Sequence, residues 1–169
     1  MAQAREYTTA ILDLLGSRDP TGVLGRTAEA IRTAVAGLSD AQLSQPESPG
    51  KWSLRQVVQH LADSDLVWGY RLRLVLAQER PPLTGYDQDL WSDRLHYERA
   101  PVDEALDQFT ILRRSNLRLL KNASSDDLRR VGLHAERGEE SVEHMIRLYA
   151  GHDLLHLRQL ARIRHAVER

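Results

Sequence analysis

Leu54, Val57, Leu61, Ser64, Trp68, Leu72 and Val75 follow one another at spacings of three and four residues. That rhythm places the whole set on one face of an α-helix, and no strand register could bury it. The same rhythm recurs along the chain. Leu24, Ala28, Ile31, Val35 and Leu38 form the stripe of a first core helix. Ala105, Phe109, Leu112, Asn116 and Leu119 form that of a third, starting beside Pro101 and reaching about residue 121. Met145, Tyr149, His152, His156, Leu160 and Ile163 form that of a last helix, capped by Ser141.

The punctuation agrees. "SQPESPGKW" is a Pro-, Ser- and Gly-rich connection, after which Ser53 can cap the second helix, expected to run to about residue 78. Tyr7, Ile11, Leu14 and Leu15 predict a short N-terminal helix ended by Gly16 and Pro20, and residues 124–130 add a short turn. No window alternates with period two and β-branched enrichment, so no sheet is expected. The fold class is all-α: a four-helix bundle over residues 21–169 behind an N-terminal helical extension over residues 1–20. The connection from Gln78 to Ala100, if extended, spans a helix of about 25 residues, roughly 37 Å. One long crossover connection, with the second and third helices parallel, fits that length.

Composition narrows the function. With 169 residues the chain can bury a core without disulfides or a structural metal. Basic and acidic residues stand at 23 against 24, which gives no field to attract nucleic acid or an anionic membrane. The absence of cysteine removes thiolate metal sites and a cysteine nucleophile, leaving histidine and carboxylate as ligands. The N-terminal stretch carries Arg5, Glu6 and Asp13 and reads as no signal peptide, and no segment reaches membrane-spanning length, so a cytoplasmic protein is expected.

The last helix carries an anomaly. In "YAGHDLLHLRQL", His152 and His156 occupy inward positions where a bundle normally places Leu or Ile. Side chains four apart share a helix face and can converge on one ion. A buried imidazole must in any case find a partner, so two readings stand open: a shared metal, or hydrogen bonds to core hydroxyls and carbonyls. His60, at the margin of the second helix's stripe, reaches the same depth if the second and fourth helices are antiparallel. His96, His134, His144 and His165 fit a solvated role better, although His134 and Glu136 could approach the mouth of a site. "HDLLH" has Asp153 where a zincin helix needs glutamate, and no further zincin ligand follows. The Glu-x-x-His pairs of di-iron bundles are also missing.

"PGKWSLRQVVQHLADSD" and "YAGHDLLHLRQL", supported by "GYDQDLWSDRLHY" and "ERGEESVEHMIRLYA", resemble the DinB-like (YfiT/DinB) superfamily of four-helix proteins. The resemblance extends over nearly all of the chain beyond its first twenty residues. It implies one divalent metal ion, zinc or nickel before iron, manganese or copper, held by His60, His152 and His156, and a bundle that assembles as a homodimer. It also implies an enzyme acting on a small molecule, either a hydrolase or a transferase using a low-molecular-weight thiol such as bacillithiol or mycothiol. The competing class is a non-catalytic metal-binding bundle of the damage-inducible, stress-response kind. Asp63, one turn after His60, and Asp153, beside His152, are candidates for orienting a ligand or moving a proton. Arg158 and Gln159 could meet an anionic substrate, while Trp52 and Trp68 read as core.

Overall fold

The computed structural model describes residues 2–169. In chain order it contains α1 (Ala2–Leu15), α2 (Pro20–Val35), α3 (Asp40–Ser44), α4 (Leu54–Ala77), β1 (Pro82–Leu83), α5 (Gln88–Arg94), α6 (Val102–Lys121), α7 (Ser125–Arg129), β2 (Val131–His134), β3 (Gly138–Ser141) and α8 (Val142–Val167). A single 3-10 turn at Tyr97–Arg99 precedes α6. The helix starts are those the sequence marks. Ser53 and Gln56 close a capping box on α4, Ser141 accepts from the His144 N–H, and Asp19 caps α2 ahead of Pro20.

Side-chain bonds orient the four long helices. Arg55, at the start of α4, donates to the Ala100 carbonyl just before α6, and Arg73, near the end of α4, reaches Ser115. Hence α4 and α6 run parallel, and residues 78–101 return the chain along the bundle as the crossover. His60 meets His152 while Trp68 stacks on Tyr149, so α8 is antiparallel to α4. Thr27 bonds Asp153 and Arg164 reaches the Thr33 carbonyl, so α2 runs parallel to α8.

Two apolar clusters fill the bundle. One gathers Ile31, Leu54, Val57, Val58, Phe109, Leu160 and Ile163, and the other Leu15, Leu24, Trp68, Leu72, Val75, Met145 and Ala150. Between them every long helix contributes buried polar side chains: Thr27, His60, Asp65, Arg113, Asn116, Asp153 and His156. The helices come close enough at this belt to require glycine. A Cβ on Gly69 would lie 2.5 Å from Asn116 Oδ1, and one on Gly151 would overlap the Ile11 carbonyl, which lets α1 lie against α8 with Ile11 and Leu15 buried.

The three-stranded sheet was not expected. β1 pairs in parallel with β2, and β2 antiparallel with β3. Its strands are too short for alternation to register, and the β1–β2 pairing joins segments that only the crossover brings together.

Candidate metal centre

His60 projects from α4 into the belt, where His152 and His156 arrive one turn apart on α8. Their ligating nitrogens all lie within 4.8 Å of one another, with His60 Nε2 3.2 Å from His152 Nε2. Burial drives all three imidazoles towards the neutral form. It holds His60 and His152 well below the usual histidine range, with neighbouring histidines adding to the effect. It lowers His156 too, against the pull of Gln159 and Asp153.

The donor set fits a divalent ion. Metal–nitrogen bonds of roughly 2.1 Å in a tetrahedral arrangement separate ligand nitrogens by about 3.4 Å, within the spread found here. Gln159 Oε1 lies 2.8 Å from His156 Nδ1, so that nitrogen carries the proton and Nε2 is left with its lone pair. His60 Nδ1 and His152 Nδ1 are buried without a partner. The two Nε2 atoms face each other, and an ion between the rings would engage the lone pairs of both, leaving each Nδ1 as the N–H side of its imidazole. Trp52 packs its ring 5.0 Å from that of His60 and helps wall the site.

His152 also lines a cavity of about 460 Å³. Its walls include Tyr7 and Ile11 of α1, Ser64 and Arg71 of α4, Tyr86 of the crossover, and Tyr149 of α8. The Ser64 and Tyr86 hydroxyls lie 2.8 Å apart. Burial raises the Tyr149 and Tyr86 hydroxyls above the ordinary tyrosine range, so both stay protonated at neutral pH.

The two carboxylates singled out in the sequence are engaged elsewhere. Asp63 Oδ2 accepts from the Tyr97 hydroxyl at 2.6 Å, and Oδ1 from Gln108 at 3.1 Å and Gln59 at 3.2 Å. Asp153 pairs with Arg113 at 2.5 and 3.1 Å and accepts from Thr27 at 2.6 Å. Arg158 is exposed, as are His96 and His165, while His144 is half-buried.

The sequence reading missed three residues of this end of the molecule. His134, expected in solvent, is 3 % exposed on β2, where burial and then Arg137 lower it to about 4. The alternation that turns it inward belongs to a strand too short to be seen in the sequence. Asp65 and Arg113 were missed because charge argues against burial, and only their spacing from Leu61 and Phe109 hints otherwise.

A family model described as the DinB superfamily matches residues 24–160. The chain belongs to the DinB superfamily. A protein of Oceanobacillus iheyensis named "Putative metal-dependent hydrolase" is 32 % identical over 127 residues, covering 75 % of this chain and 73 % of its own. A Bacillus cereus protein of the same name is 31 % identical over 131 residues, with 78 % and 75 % covered. Among solved structures, YfiT from Bacillus subtilis, described as a probable metal-dependent hydrolase with an unusual four-helix bundle topology, superposes with a TM-score of 0.77. It shares 28 % identity, over 85 % of this chain and 84 % of that one. Within this DinB superfamily fold, the three histidines named from the sequence come together in one cluster, His60 and His156 buried and His152 half-buried.

Proposed function

We propose that the chain is a metal-dependent hydrolase of small molecules, with a zinc or nickel ion held by His60, His152 and His156. One observation carries the reading: three neutral imidazoles converge without a fourth histidine or carboxylate in their cluster among the described residues, beside a cavity of about 460 Å³. Three neutral ligands with an open position are the pattern of catalytic rather than closed structural sites. The ion would supply Lewis acidity, polarising a carbonyl or acidifying water at neutral pH. Gln159 holds His156 in its ligating tautomer, and Asp153 is a positioning residue that fixes α8 through Arg113. Asp63 ties the crossover to α4 through Tyr97. Ser64, Tyr86 and Tyr149 offer neutral hydroxyls to a substrate in the cavity. With no cysteine in the chain, thiol transfer at the same site requires a low-molecular-weight thiol as cosubstrate. The reading places the protein in the cytoplasm as a homodimer, for which exposed Leu66 and Tyr70 on α4 and Ile111 on α6 supply apolar surface.

Elemental analysis of the tag-free protein tests the reading first, followed by turnover of a panel of esters and amides with and without added thiol. About one ion per chain in the wild type, its loss in His156→Ala, and metal-dependent turnover are expected. Absence of stoichiometric metal would sink the metal centre. Bound metal without turnover of any panel member would favour the non-catalytic bundle.

A further inference from the structure

Arg71 is 5 % exposed and stands in the wall of the cavity that His152 lines. Its guanidinium is a cation with five N–H donors and no acceptor. Two neighbouring buried or half-buried arginines have carboxylates, Asp65 and Asp153 for Arg113 and Glu140 for Arg137. Arg71 forms no ion pair among the described residues, and residues 1–5 include no acid. One of its terminal nitrogens donates to the Tyr149 hydroxyl at 3.4 Å and the other to the Thr84 carbonyl. Its Nε is buried with no partner.

A second unmet donor flanks the same turn. His134 Nδ1 accepts from the Glu136 N–H at 3.2 Å, so its Nε2 carries the proton, and that atom too is buried without a partner. The His134 ring sits against Gly85, between Thr84, which Arg71 holds, and Tyr86, which lines the cavity. Two stranded donors, one of them a full positive charge, cannot satisfy each other. An unpaired buried charge is strongly unfavourable, and a planar guanidinium with free N–H groups matches the two oxygens of a carboxylate or phosphate. The acidic residue of the cavity wall, Glu136, is exposed and makes no ion pair with Arg71.

We infer that Arg71 is an oxyanion subsite: the substrate carries a carboxylate or phosphate that seats on Arg71, while its reacting bond lies at the three histidines. Tyr149 bonds Arg71 through its hydroxyl, and its ring lies 6.1 Å from that of His152, so Arg71 and the histidines border one cavity on either side of Tyr149. This inference rests on the hydrolase reading only for what happens at the histidines.

Binding to the metal-loaded protein tests it, with succinate, inorganic phosphate and neutral succinamide as probes in calorimetry. The wild type should bind succinate or phosphate at least about tenfold more tightly than succinamide, and the tighter anion assigns the subsite to carboxylates or phosphates. Arg71→Gln should remove that preference and Arg71→Lys retain part of it. A wild type that does not discriminate overturns the subsite whether or not the variants fold. Equal anion affinity in a folded Arg71→Gln protein also overturns it, since the anion then sits on the metal. Arg71-dependent anion binding without turnover of matched charged and neutral esters would leave the subsite standing and sink the hydrolase reading instead.

Discussion

The polar belt holds two groups of buried side chains that differ in one respect. Around Arg113 the charged, amide and hydroxyl groups are all met, and only the indole N–H of Trp68, whose ring Arg113 overlies, has no partner: Nε bonds Asp65 at 2.9 Å, the terminal nitrogens bond Asp153 and the Leu24 carbonyl, Asn116 bonds Asp65, and Thr27 bonds Asp153. At the cavity end, His60 Nδ1, His152 Nδ1, His134 Nε2 and Arg71 Nε are buried with nothing to bond. Both groups bear the desolvation cost of polar atoms in a core, and only the first recovers it from the chain itself. A closed network has its reason inside the fold. An open one awaits an ion or a ligand, and that difference separates structure from function here more sharply than burial or charge.

The largest effect should come from breaking the closed network. Arg113→Met leaves Asp65 and Asp153 facing each other without a cation, and removing one partner of a buried ion pair costs about 3–5 kcal/mol. Burial already raises Asp65 to about 6 against the pull of Arg113, with Asp153 adding to the rise. Urea denaturation measures the loss, and a cost below about 1 kcal/mol would show that the network does not hold the helices together.

The open group should respond to acid. His134 is lowered from 6.5 to about 4 in the folded protein, chiefly by burial. A depressed histidine contributes stability that is present above 6.5 and lost as pH falls through 4, because the unfolded chain takes up the proton first. Metal-free wild type should lose about 2–3 kcal/mol more than His134→Gln between pH 7 and pH 4. Asp65, raised on folding, works in the opposite direction over that range, but it does so in both proteins and cancels from the difference. Parallel stability curves for the two proteins would mean that His134 remains solvated.

What the sequence revealed follows the same division. The stripes located α2, α4, α6 and α8 to within a few residues because helix burial is periodic and local. The length of the 78–100 connection pointed to the parallel pair. His152 and His156 could be named because imidazoles interrupt an otherwise apolar row, and His60, at the margin of its stripe, from the antiparallel helix pairing and the family resemblance. Arg71 and Arg113 could not, since arginine on an amphipathic helix ordinarily reaches water, and whether a carboxylate meets it depends on helices forty to eighty residues away. The small sheet was hidden for a similar reason: two residues of β1 carry no pattern until the crossover lays them beside β2.

A smaller effect should follow from loosening a metal ligand without removing it. Gln159→Leu takes the acceptor from His156 Nδ1 and leaves the imidazole free to adopt the wrong tautomer. Removing such an outer partner typically weakens metal binding by about 10–100-fold, which competition with a chromogenic chelator reads directly. Unchanged affinity would show that packing alone orients the ring.

The smallest effect should distinguish the two groups most clearly. Replacing His60, His152 and His156 together with Gln keeps similar volumes, supplies side chains that can bond one another, and removes two stranded Nδ1 atoms. In metal-free protein the folding free energy should change by no more than about 1 kcal/mol, against the several lost in Arg113→Met. A zinc-dependent rise in stability is expected of the wild type and should be absent from the triple variant, because an ion stabilises only the state that binds it. If the metal-free triple variant instead unfolds as readily as Arg113→Met, the histidines are part of the bundle's own structure. The contrast between a closed and an open network would then have no energetic basis.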